Sequence, residues 1–281
     1  MKRMSATGNE PSRGHLFIIG GGERPGYLMR AYVNCARGTN VPVLIVPFAS
    51  RKPAVQAERL RAEFAELGYR DIVVATVVDA PGVVKYARAA GAVYFAGGDQ
   101  NRLRDVMTGT PLLEAIRQAY GRGAVIGGTS AGAAVMGSVM LSGNELLNPA
   151  AISSDKGDAV NAFTWIRRRN IETTEGFGFL ERCVVDQHFV YRKRHNRLLS
   201  VVLEHPELLG IGIDESTAII VSGEHFDVIG ESCVVVFDAS KATGIGTGTN
   251  DMLCCERMLL HLLVAGQRFD LVRRRVMTVQ S

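Results

Sequence analysis

The sequence predicts an α/β fold: a doubly wound, mostly parallel sheet flanked by helices, followed by a β-rich C-terminal part. Three observations predict it. Short apolar runs rich in β-branched residues alternate with helix-period segments through the first half. Small-residue turns, most of them glycine-rich, close four of those runs. From about residue 182 the helical segments give way to further strand-like runs.

Taken in order, Leu16 to Ile19 opens into Gly20-Gly21-Gly22, and Val43 to Val46 leads to Phe48-Ala49-Ser50. Ala54 to Leu67 places Ala57, Leu60, Phe64 and Leu67 at helical spacing. Ile72 to Ala75 and Ala92 to Phe95 are the next strands, the second ending in Gly97-Gly98-Asp99. Leu103 to Tyr120 repeats the helical pattern with Val106, Leu113, Ile116 and Tyr120, and Ala124 to Ile126 runs into Gly127-Gly128-Thr129. All four turns fall at strand C-termini, where open α/β sheets bind ligands, so they converge on one crevice. In the second half Cys183 to Val185, Ile211 to Ile213, Ala218 to Val221, Val234 to Phe237 and Phe269 to Val276 read as strands, and Met258 to Leu263 as helical. Residues 151–178 lack a clear period and read as a mobile loop plus a short helix. No linker, charge block or internal repeat divides the chain, so residues 15–281 read as one domain behind a polar, flexible tail over residues 1–14.

Composition removes several function classes. With 47% hydrophobic and 21% charged residues, the 281-residue chain is of ordinary globular type. A net charge of +4 is weak, and Arg167-Arg168-Arg169 and Arg273-Arg274-Arg275 have no interleaved stacking aromatics, which argues against a nucleic-acid partner. No apolar run approaches the roughly 20 residues that cross a bilayer, and the N-terminus carries no signal-like apolar segment. Five cysteines, at 35, 183, 233, 254 and 255, fit no zinc spacing and read as buried small hydrophobes in a reducing, cytoplasmic setting.

The chemistry centres on Gly127-Gly128-Thr129-Ser130-Ala131-Gly132-Ala133. A G-x-S-x-G core after an apolar run sets a serine at a strand-to-helix bend, with glycines keeping side chains clear and the Ala131 amide free to face an oxyanion. Ser130 then needs a base and a group to orient that base. His15, His205, His225 and His261 read as surface or packing residues, whereas His188 closes a strand in Asp186-Gln187-His188-Phe189. The orienting acid is Asp214 or Glu215, which alternation places on opposite faces, or Asp186, two residues from His188. Arg194 and Arg197 follow at helical spacing, as a carboxylate-bearing substrate or a solvated basic helix would have them.

Five motifs in order give a resemblance. These are Ile-Ile-Gly-Gly-Gly-Glu at 18–23, Phe-Ala-Gly-Gly-Asp-Gln-Asn at 95–101, the serine elbow at 127–133, Asp-Gln-His-Phe at 186–189 with Arg192, Arg194, Arg197 and Leu198, and Gly-Ile-Asp-Glu-Ser-Thr-Ala at 212–218. From Ile18 to about Phe237 the chain resembles cyanophycinases, serine exopeptidases related to aspartyl dipeptidase, also called peptidase E. The resemblance implies a class I glutamine amidotransferase-like fold, Ser130 as nucleophile, His188 as general base and acid, and Glu215 as its orienter. It implies an oxyanion hole at Gly98 and Ala131, and Gln100, Asp186, Gln187, Arg192, Arg194 and Arg197 around the substrate or bracing the crevice. The implied substrate is cyanophycin, a poly-aspartate with arginine on each side chain, cleaved to β-Asp-Arg, by a homodimer without metal or organic cofactor. Arg192 or Arg194 would bind carboxylates, and Glu23 or Asp99 the guanidinium. Segment 151–178 departs from the shorter, glycine-rich stretch associated with that family. Rival expectations are an aspartyl dipeptidase acting on small peptides, a glutamine amidotransferase, which would carry cysteine where Ser130 stands, and a dinucleotide-binding module, whose G-x-G-x-x-G fails at Pro25.

Overall fold

The computed structural model describes residues 13–147 and 164–277. Most of the tail over residues 1–14 and the part of the expected loop over residues 151–163 lie outside the described residues. In the first half, β1 (Leu16–Ile19), α1 (Gly26–Cys35), β2 (Val43–Val46), α2 (Pro53–Glu66), β3 (Ile72–Val74), α3 (Pro81–Ala89), β4 (Ala92–Phe95), α4 (Gln100–Met107), α5 (Pro111–Gly121) and β5 (Val125–Thr129) alternate as expected. After them come α6 (Ala131–Ala134), β6 (Gly137–Glu145), β7 (Ile171–Glu175), β8 (Leu180–Gln187), α7 (His195–Glu204), β9 (Leu209–Ile213) and β10 (Thr217–Ser222). The chain continues with β11 (His225–Gly230), β12 (Cys233–Asp238), β13 (Thr243–Thr247), β14 (Leu253–Glu256), β15 (Leu259–Val264), β16 (Arg268–Asp270) and β17 (Arg275–Met277).

A nine-stranded sheet runs β17-β16-β11-β10-β1-β5-β4-β2-β3, and a six-stranded sheet β15-β12-β9-β8-β6-β7. Strands β1 to β5 pair in parallel, whereas β10, β11, β16 and β17 extend the sheet antiparallel. Three of those five parallel strands, β1, β2 and β4, are fully buried and apolar on both faces, as strands covered from both sides must be. Alternation along β1 sends Phe17 and Ile19 into a cluster with Leu28, Tyr32, Leu60 and Phe64 of α1 and α2. Leu16 and Ile18 face the opposite cluster, shared with Val185, Ile211 and Val236 of the second sheet. α7 covers the outer face of that second sheet through Leu198, Val201 and Val202 against Val184 and Val235. The fold is therefore mixed α/β with a parallel segment in its larger sheet.

Five expectations need correction. The single helical segment from Leu103 to Tyr120 is two helices, because Pro111 lacks an amide hydrogen and starts α5, capped by Thr110 accepting from Leu113 N at 3.3 Å. Met258 to Leu263 is mostly the strand β15, not a helix: its apolar residues also fit a period of two, and pairing with β12 decides. Phe269 to Val276 is split into β16 and β17 by a turn in which the Asp270 carboxylate accepts from the Val272 and Arg273 amides. Within 164–178 the described chain holds the strand β7 rather than a helix, paired with β6. Of the cysteines, all free thiols, only Cys183 is buried, and Cys254 is exposed on the β13–β14 hairpin.

Phe64 is fully buried, with ring centroids 5.2–5.8 Å from those of Tyr32, Tyr69 and Tyr94. Phe64→Ala removes a ring that three elements share and is expected to lower stability by about 3–5 kcal/mol, read from urea unfolding.

Candidate active site

The serine elbow is built from close backbone approach. A Cβ on Gly128 would lie 2.5 Å from the Gly132 carbonyl oxygen, and one on Gly132 2.3 Å from that of Phe95, so neither position admits a side chain. Ser130 sits between them at φ 53 and ψ −111, a strained backbone for a non-glycine residue. Its amide donates to the Ile19 carbonyl at 3.1 Å, and its carbonyl accepts from Ala133 and Ala134 at 2.9 and 3.0 Å. Those bonds hold the strain, and the hydroxyl emerges between β5 and α6.

Ser130 Oγ lies 2.9 Å from His188 Nε2. On the far side of the ring, His188 Nδ1 hydrogen-bonds Glu215 Oε1. A carboxylate there fixes the proton on Nδ1, so Nε2 is left to accept from the serine hydroxyl. His188 follows the end of β8 in the left-handed region at φ 48, with its amide donating to the Gly20 carbonyl at 2.7 Å. Burial lowers the His188 pKa below the usual histidine value; the Glu215 hydrogen bond opposes this, and the Arg192 and Arg194 charges reinforce it. The ring is therefore neutral at neutral pH.

The β1–α1 turn is part of the same construction. Gly20 N donates to Thr217 O at 2.9 Å and Ser216 N to Gly21 O at 2.9 Å, tying the Glu215 segment to β1. A Cβ on Gly21, at φ 116, would lie 2.3 Å from His188 Cε1, and one on Gly22 would lie 2.7 Å from Glu215 Cβ. Bare backbone leaves the room that the two side chains occupy.

The three candidate acids separate cleanly. Glu215 meets the histidine. Asp214 turns away, its carboxylate accepting from the Val190 and Tyr191 amides at 3.0 and 2.9 Å and from Ser232 Oγ at 2.7 Å, which pins the turn after His188. Asp186 is buried in a bidentate pair with Arg197, Nε to Oδ2 at 2.7 Å. Both partners are almost fully inaccessible, so Asp186 and Arg197 brace the crevice rather than face a substrate. Arg194 donates to the Gln187 carbonyl at 2.7 Å, and Arg192 is exposed.

The remaining site residues divide the same way. Gln187 is buried with Oε1 3.5 Å from Ser130 Oγ. Gln100 is committed to β6, its amide donating to the Leu141 and Ser142 carbonyls at 3.2 and 2.9 Å. Asp99 caps α4, its Oδ1 accepting from the Asn101 and Arg102 amides, and is otherwise exposed. Gly97, beside Gly98, lies against Ser130, and Ala131 is the first residue of α6.

A cleft of about 1020 Å³ opens over Ser130, His188 and Glu215. Its α2 wall was not anticipated: Gln56, Arg59, Glu63 and Glu66 line it, beside Arg24 and the expected Glu23 from the turn after β1. Their spacing of three, four and three is a helical stripe that the apolar periodicity of α2 obscured. Arg24 donates to Glu63 at 2.5 Å and to the buried Tyr94 hydroxyl at 2.7 Å. Among the described residues no group of three or more His, Cys, Asp or Glu side chains is placed to hold a metal ion, and no helix is long and apolar enough to cross a membrane.

Residues 16–229 match the sequence model of peptidase family S51. The chain belongs to this family. It is similar to the cyanophycinase of Geminocystis herdmanii, 35% identical over 271 residues that cover 92% of this chain and 94% of that one. The cyanophycinase of Nostoc sp. is 32% identical over 275 residues, covering 93% and 87%. Among solved structures, a peptidase from an acI-B1 Actinobacterium superposes with a TM-score of 0.66 at 24% identity, over 93% of this chain and 98% of that one. A putative peptidase E protein from Listeria monocytogenes gives 0.54 at 16% identity, over 79% and 100%. These two likenesses concern the fold. Membership of family S51 makes the protein a serine peptidase.

Gly21→Ala is expected to lower kcat/KM by about 100-fold, the cost of displacing a reacting group by about 1 Å, while circular dichroism stays that of the wild type. The pH profile of kcat/KM is expected to fall on its acid side with an apparent pKa below the usual 6.5 or so of histidine, since only neutral His188 accepts the serine proton. Arg192→Gln removes a charge that disfavours imidazolium and is expected to move that limb upward; a limb that stays put would remove Arg192 from the electrostatics of His188.

Proposed function

We propose that this S51 peptidase hydrolyses cyanophycin to β-Asp-Arg dipeptides through an acyl-enzyme on Ser130. The observation that carries the reading is the hydrogen-bonded chain Ser130 Oγ, His188 Nε2, His188 Nδ1, Glu215 Oε1 at the base of an open cleft. The curated relatives called cyanophycinase, similar along almost the whole chain, support the choice of substrate. A serine at the strand-to-helix bend supports a class I glutamine amidotransferase-like arrangement with serine in place of cysteine, the free cysteines support a reducing, cytoplasmic setting, and the family resemblance supports a homodimer.

In this reading His188 Nε2 takes the hydroxyl proton as Ser130 Oγ attacks the aspartyl peptide carbonyl. Glu215 keeps the ring in the tautomer that accepts, and stabilises the imidazolium that forms. The tetrahedral oxyanion is held by the Gly98 and Ala131 amides, donors worth about 2.7–4 kcal/mol each. His188 then gives its proton to the leaving amine, and a water, deprotonated by the same nitrogen, hydrolyses the acyl-enzyme. Arg192, exposed beside His188, is the better placed of the two arginines for a substrate carboxylate, because Arg194 already donates to Gln187.

The test is incubation of wild type and Ser130→Ala with insoluble cyanophycin, followed by mass spectrometry of the soluble fraction. Wild type is expected to release β-Asp-Arg, and Ser130→Ala to lose activity by about 10⁴-fold or more. Cleavage of aspartyl dipeptides without release from the polymer would replace the substrate, and undiminished turnover by Ser130→Ala would overturn the mechanism.

A further inference from the structure

The cleft extends well past the nucleophile. Its α2 wall, the eleven residues from Gln56 to Glu66, spans about 15 Å of helix. An extended backbone advances about 3.3–3.6 Å per residue, so that wall runs alongside about four residues of a bound chain. Both signs of charge face the cleft. Glu63 is satisfied by Arg24, whose guanidinium also donates to Tyr94, so this pair is internal to the fold. Helical spacing offers Glu63 to Arg59 at i, i+4, yet Glu63 is drawn to Arg24 instead. Arg59 is left with no ion pair among the described residues, as are Glu66 about two turns on and Glu23 across the cleft.

We propose that Arg59 and Glu66 form a polymer-binding wall that holds repeat units of a zwitterionic chain beyond the unit being cleaved. Arg59 answers the free α-carboxylates of the side-chain arginines and Glu66 answers their guanidinium groups, each as a charge-assisted pair. A dipeptide fills only the end of the cleft at Ser130 and leaves this wall empty, so the wall selects for chain length rather than for the scissile unit. The inference rests on the polymer reading of the proposed function.

The experiment measures kcat and KM on a two-unit and an eight-unit β-Asp-Arg oligomer for wild type, Arg59→Glu, Glu66→Lys and Glu58→Lys. Glu58 is exposed on the same helix outside the cleft and controls for net charge. Arg59→Glu and Glu66→Lys are each expected to raise KM for the eight-unit oligomer about fivefold, the size of one exposed ion pair, with KM for the two-unit oligomer and kcat unchanged. Glu58→Lys is expected to change neither. Arg59 and Glu66 are both exposed, so melting curves should match the wild type; Arg59→Gln and Glu66→Gln replace any variant that melts early. No change on either oligomer, or an equal change on both, overturns the wall and leaves the polymer reading standing. A wild type that cleaves neither oligomer overturns both.

Discussion

The backbone of one turn, Gly20-Gly21-Gly22, ties together three chain segments that are far apart in sequence. Ile19 O receives the Ser130 amide, Gly20 O the His188 amide and Gly21 O the Ser216 amide, while Gly20 N donates to Thr217. Ser130, His188 and the segment carrying Glu215 are thus indexed to the end of β1 by main-chain hydrogen bonds, whose geometry tolerates little displacement. The turn works because it carries no side chains: a methyl group at 21 or 22 would occupy the space of His188 or Glu215. Ser130, His188 and Ser216 all adopt positive φ, so the segments meeting this turn are strained, and the hydrogen bonds to it hold them there.

A second set of contacts fixes the electrostatics. Asp186 and Arg197 neutralise each other inside the protein, and Asp214 takes the amides that follow His188, so the chain from Asp186 to Arg197 is held at both ends and in the middle. Burying an ion pair contributes little net stability, but removing either partner leaves an uncompensated charge. Its effect here is positional: it orients a segment that carries the histidine and two arginines. Burial lowers the basicity of His188 while the Glu215 hydrogen bond restores part of it, leaving the pKa below the usual histidine value. The same burial, reinforced by Arg197, lowers the Arg194 pKa.

The sequence by itself determined the parallel half of the fold and the backbone bend at Ser130. Strands β1, β2, β4 and β5 are apolar on both faces and closed by short turns, a local signal that tertiary context rarely overrides, and Gly128-Thr129-Ser130-Ala131-Gly132 permits the close backbone approach that exposes a serine. The tertiary structure decided what depends on partners distant in the chain. Asp186, Asp214 and Glu215 were equivalent candidates by residue type; the family resemblance chose Glu215, and the physical reason lies in Arg197 and the Val190 and Tyr191 amides, which claim the other two. The segment from Met258 to Leu263 fits a helix and a strand about equally, and β12 selected the strand by offering a full ladder of partners. The polar wall of α2 was hidden because helical periodicity reports which face is buried and says nothing of what the half-exposed flank confronts. Local pattern encodes burial and backbone freedom; pairing among charged and polar groups is set by three-dimensional proximity, which no spacing along the chain expresses.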